Sequence, residues 1–296
     1  MKIQTFFESV YRPQRLLGKS ANTVRLYGIS IRKFGRFLAT EPTLEHLTNE
    51  NLIGLMQSQL DSKRSPATAN KDRNQLLTLW RHAHRLGMID RWPIVPELIE
   101  PERTPEAWLA EDVAKLLVAI DWQDGFFGPV PRSLWWETLV RLGLDTGERI
   151  GALRATQFGW IRGEWINVPA EARKGKRRDR AYRLSHTTLG RLMAIRLVSP
   201  ESVFPWPYSP NYIWSMFGQL LRDAGLPATK RDKFHRLRRT TASVCHACGI
   251  DAQEALDHQY RRTTQKYLDP RFCRDQQVSD VLTTYLESGT SDRKQK

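Results

Sequence analysis

The sequence has 296 residues, a formal net charge of +14 and a hydrophobic content of 40%. This length allows one large or two ordinary domains, and the hydrophobic content together with ten tryptophans argues against disorder. The charge predicts a polyanionic partner, and nucleic acid is favoured over an acidic membrane because no basic amphipathic helix or lipidation signal is present. Three cysteines do not make a disulfide framework, and no apolar run suits a signal peptide or a bilayer span. We therefore expect a cytoplasmic protein without a membrane partner.

The first hundred residues predict a helical domain. Apolar residues at helical spacing predict helices over 23–38 and 68–86, and one or two shorter helices over 44–60 that begin near Thr48 or Asn49. The outer faces of the first and last of these helices are basic. Two such faces in one basic protein favour phosphate contact over solvated charge, and the residues are Arg25, Arg32, Lys33, Arg36, Lys71, Arg73, Arg81 and Arg85. Because this pattern begins near residue 20, we expect no separate N-terminal domain.

A stretch rich in proline and acid, residues 93–106, predicts a stiff and extended linker. We place the first domain at residues 1–100 and the second at residues 107–287, followed by a disordered tail over 288–296. Such a linker would let two basic lobes close on opposite sides of a DNA duplex.

The second domain is predicted to be mainly α-helical with a small antiparallel β-sheet. Helices are expected from about Leu109, over 134–144, and again from about Leu189 onward. Between them, three short strands are expected over 158–161, 165–168 and 181–184, joined by turns at 162–164 and 173–180.

Six residues of this domain have side chains suited to phosphate chemistry. An arginine follows a Thr-Gly-Glu turn, a lysine lies in a basic turn, and a histidine and an arginine share a helix face at i and i+3. A second histidine follows Leu256-Asp257, and a tyrosine follows a pair of threonines. In chain order these residues are Arg149, Lys174, His235, Arg238, His258 and Tyr267. Arg236 and Arg239 are expected to point toward solvent or a DNA backbone.

This ordered set resembles the active-site signature of the tyrosine recombinase (phage integrase) family. The resemblance implies a two-domain architecture, with a helical core-binding domain followed by an α+β catalytic domain. Two positions depart from the family pattern: Ala152 stands where an acid is common, and Asp257 stands in the glycine position of Leu-Gly-His. The resemblance favours Lys174 as the family's hairpin lysine, with Lys176 as the alternative.

By resemblance, the chain would recombine double-stranded DNA, for integration, excision or resolution of DNA elements, without a cofactor or metal. Tyr267 would attack the scissile phosphate to give a 3′-phosphotyrosyl link, while Lys174 protonates the 5′-oxygen. The two arginines would bind the phosphate, His235 would accept the tyrosine proton, and His258 would hold a phosphate oxygen. The family works as a homotetramer on paired sites, and an apolar stripe over 278–286 could dock on a neighbouring subunit or on its own domain.

Three alternatives remain open from the residues alone. One is a type IB topoisomerase-like enzyme, and another is a DNA-binding protein whose catalytic site is inactive. The third is a zinc site at Cys245-His246-x-Cys248, which is disfavoured because no second ligand pair accompanies it. The other phenols, Tyr208, Tyr212, Tyr260 and Tyr285, lack the sequence context of Tyr267.

Overall fold

The structure is a computed structural model that describes residues 1–173, 175, 178–230 and 232–273. The chain divides into two compact units, Met1–Glu102 and Arg103–Lys296. Helices dominate both, and the strands of the described residues form two small antiparallel sheets in the second unit. The mainly α fold class expected from the sequence is confirmed. Within the described ranges, no helix combines the length and apolar character needed to cross a membrane.

The first unit is a small helical bundle whose longer helices begin at capping side chains. Ser20, Thr48 and Ser65 each accept a hydrogen bond from the backbone N–H three residues later, which satisfies a free donor at the helix start. Its elements are α1 (Ile3–Phe6), a π-helical turn (Phe7–Tyr11), α2 (Arg12–Arg15), α3 (Ala21–Leu38), α4 (Asn49–Asp61) and α5 (Pro66–Arg85).

The expectation that helical structure begins near residue 20 is wrong. Residues 3–15 are helical, and Ile3, Phe6, Phe7 and Tyr11 are buried in the core of the first unit. Their spacing of three, four and eight residues from Ile3 places them on one helix face. Pro13 lies just after the π-helical turn, and the backbone stays helical through it.

A buried carboxylate joins the three long helices of the first unit. Asp72 on α5 accepts hydrogen bonds from Ser30 at 2.5 Å, Lys33 at 2.5 Å and Gln59 at 3.1 Å. Burial alone would raise the pKa of Asp72, but the hydrogen bonds from Lys33 and Ser30 outweigh it and lower that pKa. Lys33 and Lys71 are therefore engaged with an internal acid, and part of the predicted basic surface is structural.

The described part of the second unit is mainly helical, and it contains a three-stranded sheet between residues 161 and 183. Its elements are α6 (Ala110–Asp121), β1 (Phe126–Phe127), β2 (Val130–Pro131), α7 (Arg132–Thr146), α8 (Ile150–Arg154), β3 (Ile161–Arg162), β4 (Trp165–Val168), β5 (Arg180–Arg183), α9 (His186–Val198), α10 (Tyr212–Asp223), α11 (Phe234–Ala247), α12 (Ala252–Ala255), α13 (Arg261–Gln265) and α14 (Pro270–Cys273).

The sheet has the order β3-β4-β5, and both pairings are antiparallel. The strand predicted over 165–168 is confirmed, and the strand predicted over 181–184 lies one residue earlier. The strand predicted over 158–161 is wrong for its first three residues, because Phe158–Trp160 is a 3-10 turn. Two strands of two residues each, β1 and β2, form a short antiparallel hairpin between α6 and α7.

An aromatic cluster fixes the start of α11. The ring of Phe234 stacks on Phe217 with centroids 4.2 Å apart and lies near Trp136 at 6.5 Å. Leu237, one turn later, is buried and packs near Gly143 of α7. These contacts hold α11 against α7, and they turn the face that carries Arg238 toward the C-terminal end of α7.

That end of α7 depends on a glycine. Gly147 has φ +60°, and a Cβ built there would lie 2.8 Å from Leu256 Cδ2.

We predict that Gly147→Ala destabilises the protein more than Gly163→Ala. Gly163 has φ +58°, and a Cβ built there would have no atom within 4 Å. The left-handed conformation costs both variants about 1–2 kcal/mol, and only Gly147→Ala adds a steric clash. Urea unfolding of the full chain measures the difference, and equal losses would contradict it.

Candidate active site

Arg238 occupies the centre of the candidate site and is 1% exposed. Its guanidinium donates to the backbone carbonyl of Gly147, to the carbonyl of Leu256 at 2.5 Å, and to His258 Nε2 at 3.1 Å. Burial, reinforced by the positive charge of Arg149, lowers the pKa of Arg238. The buried Nε–H has no acceptor among the described residues.

His258 is buried beside Arg238 and is held at both ring nitrogens. Because arginine only donates, Nε2 must accept from Arg238, and Nδ1 then carries the proton that faces Thr264 Oγ1 at 3.0 Å. Burial, followed by the positive charges of Arg238 and Arg149, lowers the pKa of His258 to about 4. The imidazole is therefore neutral near pH 7. In this arrangement it accepts from an arginine, whereas the predicted contact to a phosphate oxygen requires it to donate.

Tyr267 packs against these two side chains. Its ring centroid lies 4.9 Å from that of His258 and 5.7 Å from the guanidinium carbon of Arg238. The backbone around it is anchored to α11, because Ser243 Oγ donates to the Tyr267 carbonyl at 3.3 Å and accepts from the Asp269 N–H at 2.9 Å. Asp269 in turn accepts from the Ala107 N–H at 2.7 Å.

Arg149 is half-buried and occupies the N-cap position of α8, where its side chain makes no capping hydrogen bond. Its charge acts on both Arg238 and His258, which places the three side chains within electrostatic range of one another. Ala152, at the position where the family commonly has an acid, is buried. A different carboxylate lies nearby: Glu148 accepts from the Arg149 backbone N–H at 3.3 Å, and from Arg173 at 2.5 Å and Tyr182 at 2.6 Å.

The other predicted site residues are placed as follows. His235 is exposed on the first turn of α11, one turn before Arg238. Lys174 and its alternative Lys176 lie outside the described residues, as does the terminal stripe over 278–286. The structure thus brings Arg149, Arg238, His258 and Tyr267 together, and it sets His235 at the surface of the helix that carries Arg238.

The expectation that Arg236 points toward solvent or DNA is wrong. Arg236 is 5% exposed and pairs with Asp232 at 2.8 Å and Glu106 at 3.0 Å. Asp232 lies two residues before α11 and only four residues before Arg236, so this acid is close to the arginine in the sequence. Arg236 therefore fixes the start of α11 to the segment before α6.

The Cys-His-x-Cys stretch lies at the end of α11. Cys245 is half-buried, and His246 and Cys248 are exposed. Across the described parts of the chain, no group of three or more His, Cys, Asp and Glu side chains could hold a metal ion.

Sequence reasoning missed a set of arginines that connects the β4–β5 hairpin to the segment before His258. Arg173, Arg178 and Arg180 donate to Asp257 or to carbonyls of residues 254 and 255. Asp257 has φ +53°, a conformation that favours glycine, which accounts for the family glycine at this position. In the sequence, this contact is indicated by the basic turn over 173–180 together with an acid, Asp257, at the position where the family has glycine.

The first unit contains a separate basic cavity of about 180 Å³ between α2 and α5. Three exposed arginines line it, Arg15, Arg81 and Arg85, together with Tyr11, Thr78 and His82. Burial and the charges of Arg15 and Arg85 lower the pKa of His82. No carboxylate of the described residues pairs with these arginines, so the cavity suits an anion.

The neutral state of His258 has a measurable consequence. The unfolded chain has an ordinary histidine pKa of about 6.5, so it binds a proton before the folded chain does. The contribution of His258 to stability is therefore complete above about pH 6.5 and is lost as pH falls toward about 4. NMR titration of the His258 Cε1–H signal should give a midpoint near 4, and His258→Gln should remove this part of the pH dependence. A midpoint near 6.5 would contradict the buried neutral imidazole.

No protein-family model matches the sequence, and a search of curated proteins gives no match. Solved structures do match the fold. A lambda integrase dimer bound to a COC′ core site superposes with a TM-score of 0.73 at 19% identity, covering 94% of this chain and 99% of that chain. The Tn1549 transposon integrase in complex with circular intermediate DNA gives 0.71 at 14% identity, covering 96% and 99%.

A third match is the XerH site-specific recombinase bound to a palindromic difH substrate as a post-cleavage complex. It gives a TM-score of 0.64 at 18% identity and covers 84% of this chain and 77% of that chain. All three are tyrosine recombinases. At these identities the similarity concerns the fold, and it agrees with the architecture that the ordered site residues predicted. The chain has the fold of the tyrosine recombinases.

Proposed function

We propose that this protein is a site-specific DNA recombinase that cuts and rejoins strands through a 3′-phosphotyrosyl intermediate. The observation that carries the proposal is the buried guanidinium of Arg238, in contact with the rings of His258 and Tyr267 and within electrostatic range of Arg149. A tyrosine packed against a buried cationic group suits attack on a phosphodiester. The fold supports the same function, since its structural neighbours include DNA-bound integrases and a recombinase.

In the proposed cleavage step, the two arginines bind the non-bridging oxygens of one phosphate. Charge-assisted, paired hydrogen bonds from guanidinium groups stabilise the charge that builds on these oxygens in the transition state. A phosphate oxygen that takes a donor of Arg238 competes with His258 Nε2 for that guanidinium. His258 therefore orients Arg238 before DNA binds, and it holds a phosphate oxygen only after its own contacts change.

The bond changes balance without an external reagent. The Tyr267 oxygen forms a bond to phosphorus as the bond from phosphorus to the 5′-oxygen breaks. His235 accepts the tyrosine proton, and Lys174, or Lys176 in its place, gives a proton to the departing oxygen. The covalent link conserves the energy of the broken bond, so a second strand can displace the tyrosine.

Recombination between two duplexes requires several active sites, and we propose a homotetramer on paired sites. A lambda integrase structure is a tetramer bound to a Holliday junction. The two compact units would act as a core-binding domain and a catalytic domain, and the first would contact the DNA backbone through its basic cavity and the exposed Arg25, Arg32 and Arg36 of α3.

Covalent capture tests the nucleophile. Wild-type protein should form an adduct with a nicked suicide duplex selected by its own binding from a randomised library. Tyr267→Phe should abolish the adduct, because it removes only the attacking oxygen. Tyr260→Phe is the matched control, since this exposed phenol lies seven residues earlier, and it should leave the yield unchanged. Denaturing gels measure both. Binding without any Tyr267-dependent adduct would leave a DNA-binding protein with an inactive site.

The basic cavity makes a second prediction. Arg81→Ala and Arg85→Ala should each weaken DNA binding and reduce the slope of log K against log salt by about one, as expected for one lost phosphate contact. Lys2→Ala removes the same charge from a lysine already paired with Glu41, and it should leave the slope unchanged. Fluorescence anisotropy over a salt series measures the slopes. If all variants had the same slope, the cavity would not be part of the DNA interface.

A further inference from the structure

Asp257 is bound from two sides by the hairpin that follows β4. Arg173 Nη1 donates to Asp257 Oδ2 at 2.8 Å, and Arg178 Nε donates to Asp257 Oδ1 at 2.7 Å. Arg180, the first residue of β5, donates to the Glu254 carbonyl at 2.6 Å. The hairpin is therefore attached to the segment that immediately precedes His258.

Arg173 connects this attachment to the other side of the site. It is 7% exposed, its Nε donates to Glu148 Oε1 at 2.5 Å, and its Nη1 also reaches the Arg178 carbonyl at 3.1 Å. Glu148 precedes Arg149, and Asp257 precedes His258. One guanidinium thus bridges the residues next to two members of the site, and one of these residues is the acid at position 257.

The side chain of Asp257 is present despite a backbone that favours glycine. Its φ of +53° is costly for a residue with a Cβ, although aspartate tolerates it better than most. Burial raises the pKa of Asp257, but the hydrogen bonds from Arg178 and Arg173 outweigh it and the pKa is lowered. The group is ionised at neutral pH, and what it adds over glycine is a pair of charge-assisted contacts.

We propose that Asp257 is a positioning residue for the proton donor of strand cleavage. The inference rests on the recombinase function proposed above. Arg173 and Arg178 flank the stretch 174–177, and Lys174 is joined to Arg173 by a peptide bond. Asp257 holds the two arginines that flank this stretch, and it thereby fixes the described residues at both ends of the stretch relative to His258 and Arg238.

The choice of leaving group distinguishes a positioning role of Asp257 from a purely structural one, because a purely structural role would slow cleavage equally for every leaving group. In cleavage the bond from phosphorus to the 5′-oxygen breaks, and the oxygen takes a proton from the lysine ammonium. A bridging sulfur at the same position leaves as a thiolate. Thiols are far more acidic than alcohols (the cysteine thiol has a pKa of about 8.5), so this leaving group needs little help from an acid. Loss of donor placement should therefore slow cleavage at oxygen and spare cleavage at sulfur.

The experiment compares single-turnover adduct formation by the full chain on nicked duplexes with a 5′-bridging oxygen or a 5′-bridging sulfur. Asp257→Asn removes the charge, Asp257→Gly also removes the backbone strain, and Arg178→Gln removes one partner. The matched control is Glu164→Gln, which breaks the exposed 2.8 Å pair with Arg183 in the same sheet. Thermal unfolding of each variant is measured alongside.

We expect the three variants to cleave the oxygen substrate about ten- to a hundredfold more slowly, since a positioned general acid contributes about 10²- to 10⁴-fold. On the sulfur substrate they should be within about threefold of wild type, and Glu164→Gln should match wild type on both. Equal losses on the two substrates, or unchanged rates for Asp257→Gly at oxygen, would overturn the inference. Wild-type protein without a Tyr267-dependent adduct on either substrate would instead overturn the recombinase function, and this inference with it.

Discussion

The candidate site depends on one buried cation whose partners are carbonyls and a neutral ring. Arg238 contacts the carbonyls of Gly147 and Leu256 and the imidazole of His258, and no carboxylate of the described residues forms an ion pair with it. Removing a charge from water costs several kcal/mol unless the charge is paired. The carbonyl dipoles offset part of this cost and leave the net charge in place, so the site attracts an anion. The same burial and charge explain why His258 is neutral and why an aromatic ring packs beside the guanidinium.

Segments distant in sequence meet at this cation because each is held separately. The end of α7 turns at Gly147, α11 is fixed by Phe234 and by the pairs of Arg236, and Ser243 and Asp269 anchor the backbone around Tyr267. The β4–β5 hairpin reaches the same point through Arg173 and its two acids. The aromatic and ionic contacts around the site therefore hold in place the segments that meet at Arg238.

The sequence predicted those features of the fold that follow from the periodicity of apolar residues and from the order of the polar site residues. Alternation specified the strand Trp165–Val168, apolar spacing specified the helices that became α3, α5 and α7, and the ordered polar residues indicated the fold that the structural neighbours share. Local patterns could not specify pairings between distant residues. The contact of Arg173 with Asp257 spans 84 positions, and the two-residue strands β1 and β2 are too short for any periodicity. The helical segment from Ile3 is a different case, because the spacing of its buried apolar residues is itself typical of a helix.

The role of the positive charges of Arg149 and Arg238 can be tested by removing the negative charge of the scissile phosphate. Adduct formation by Arg238→Ala and Arg149→Ala should be measured on a suicide duplex with an ordinary scissile phosphodiester and on one with a neutral methylphosphonate. If the arginines act by balancing phosphate charge, both variants should be strongly impaired on the phosphodiester and should recover much of the wild-type yield on the neutral linkage. Equal impairment on the two substrates, in variants that circular dichroism shows to be folded, would contradict the central role of this buried cation.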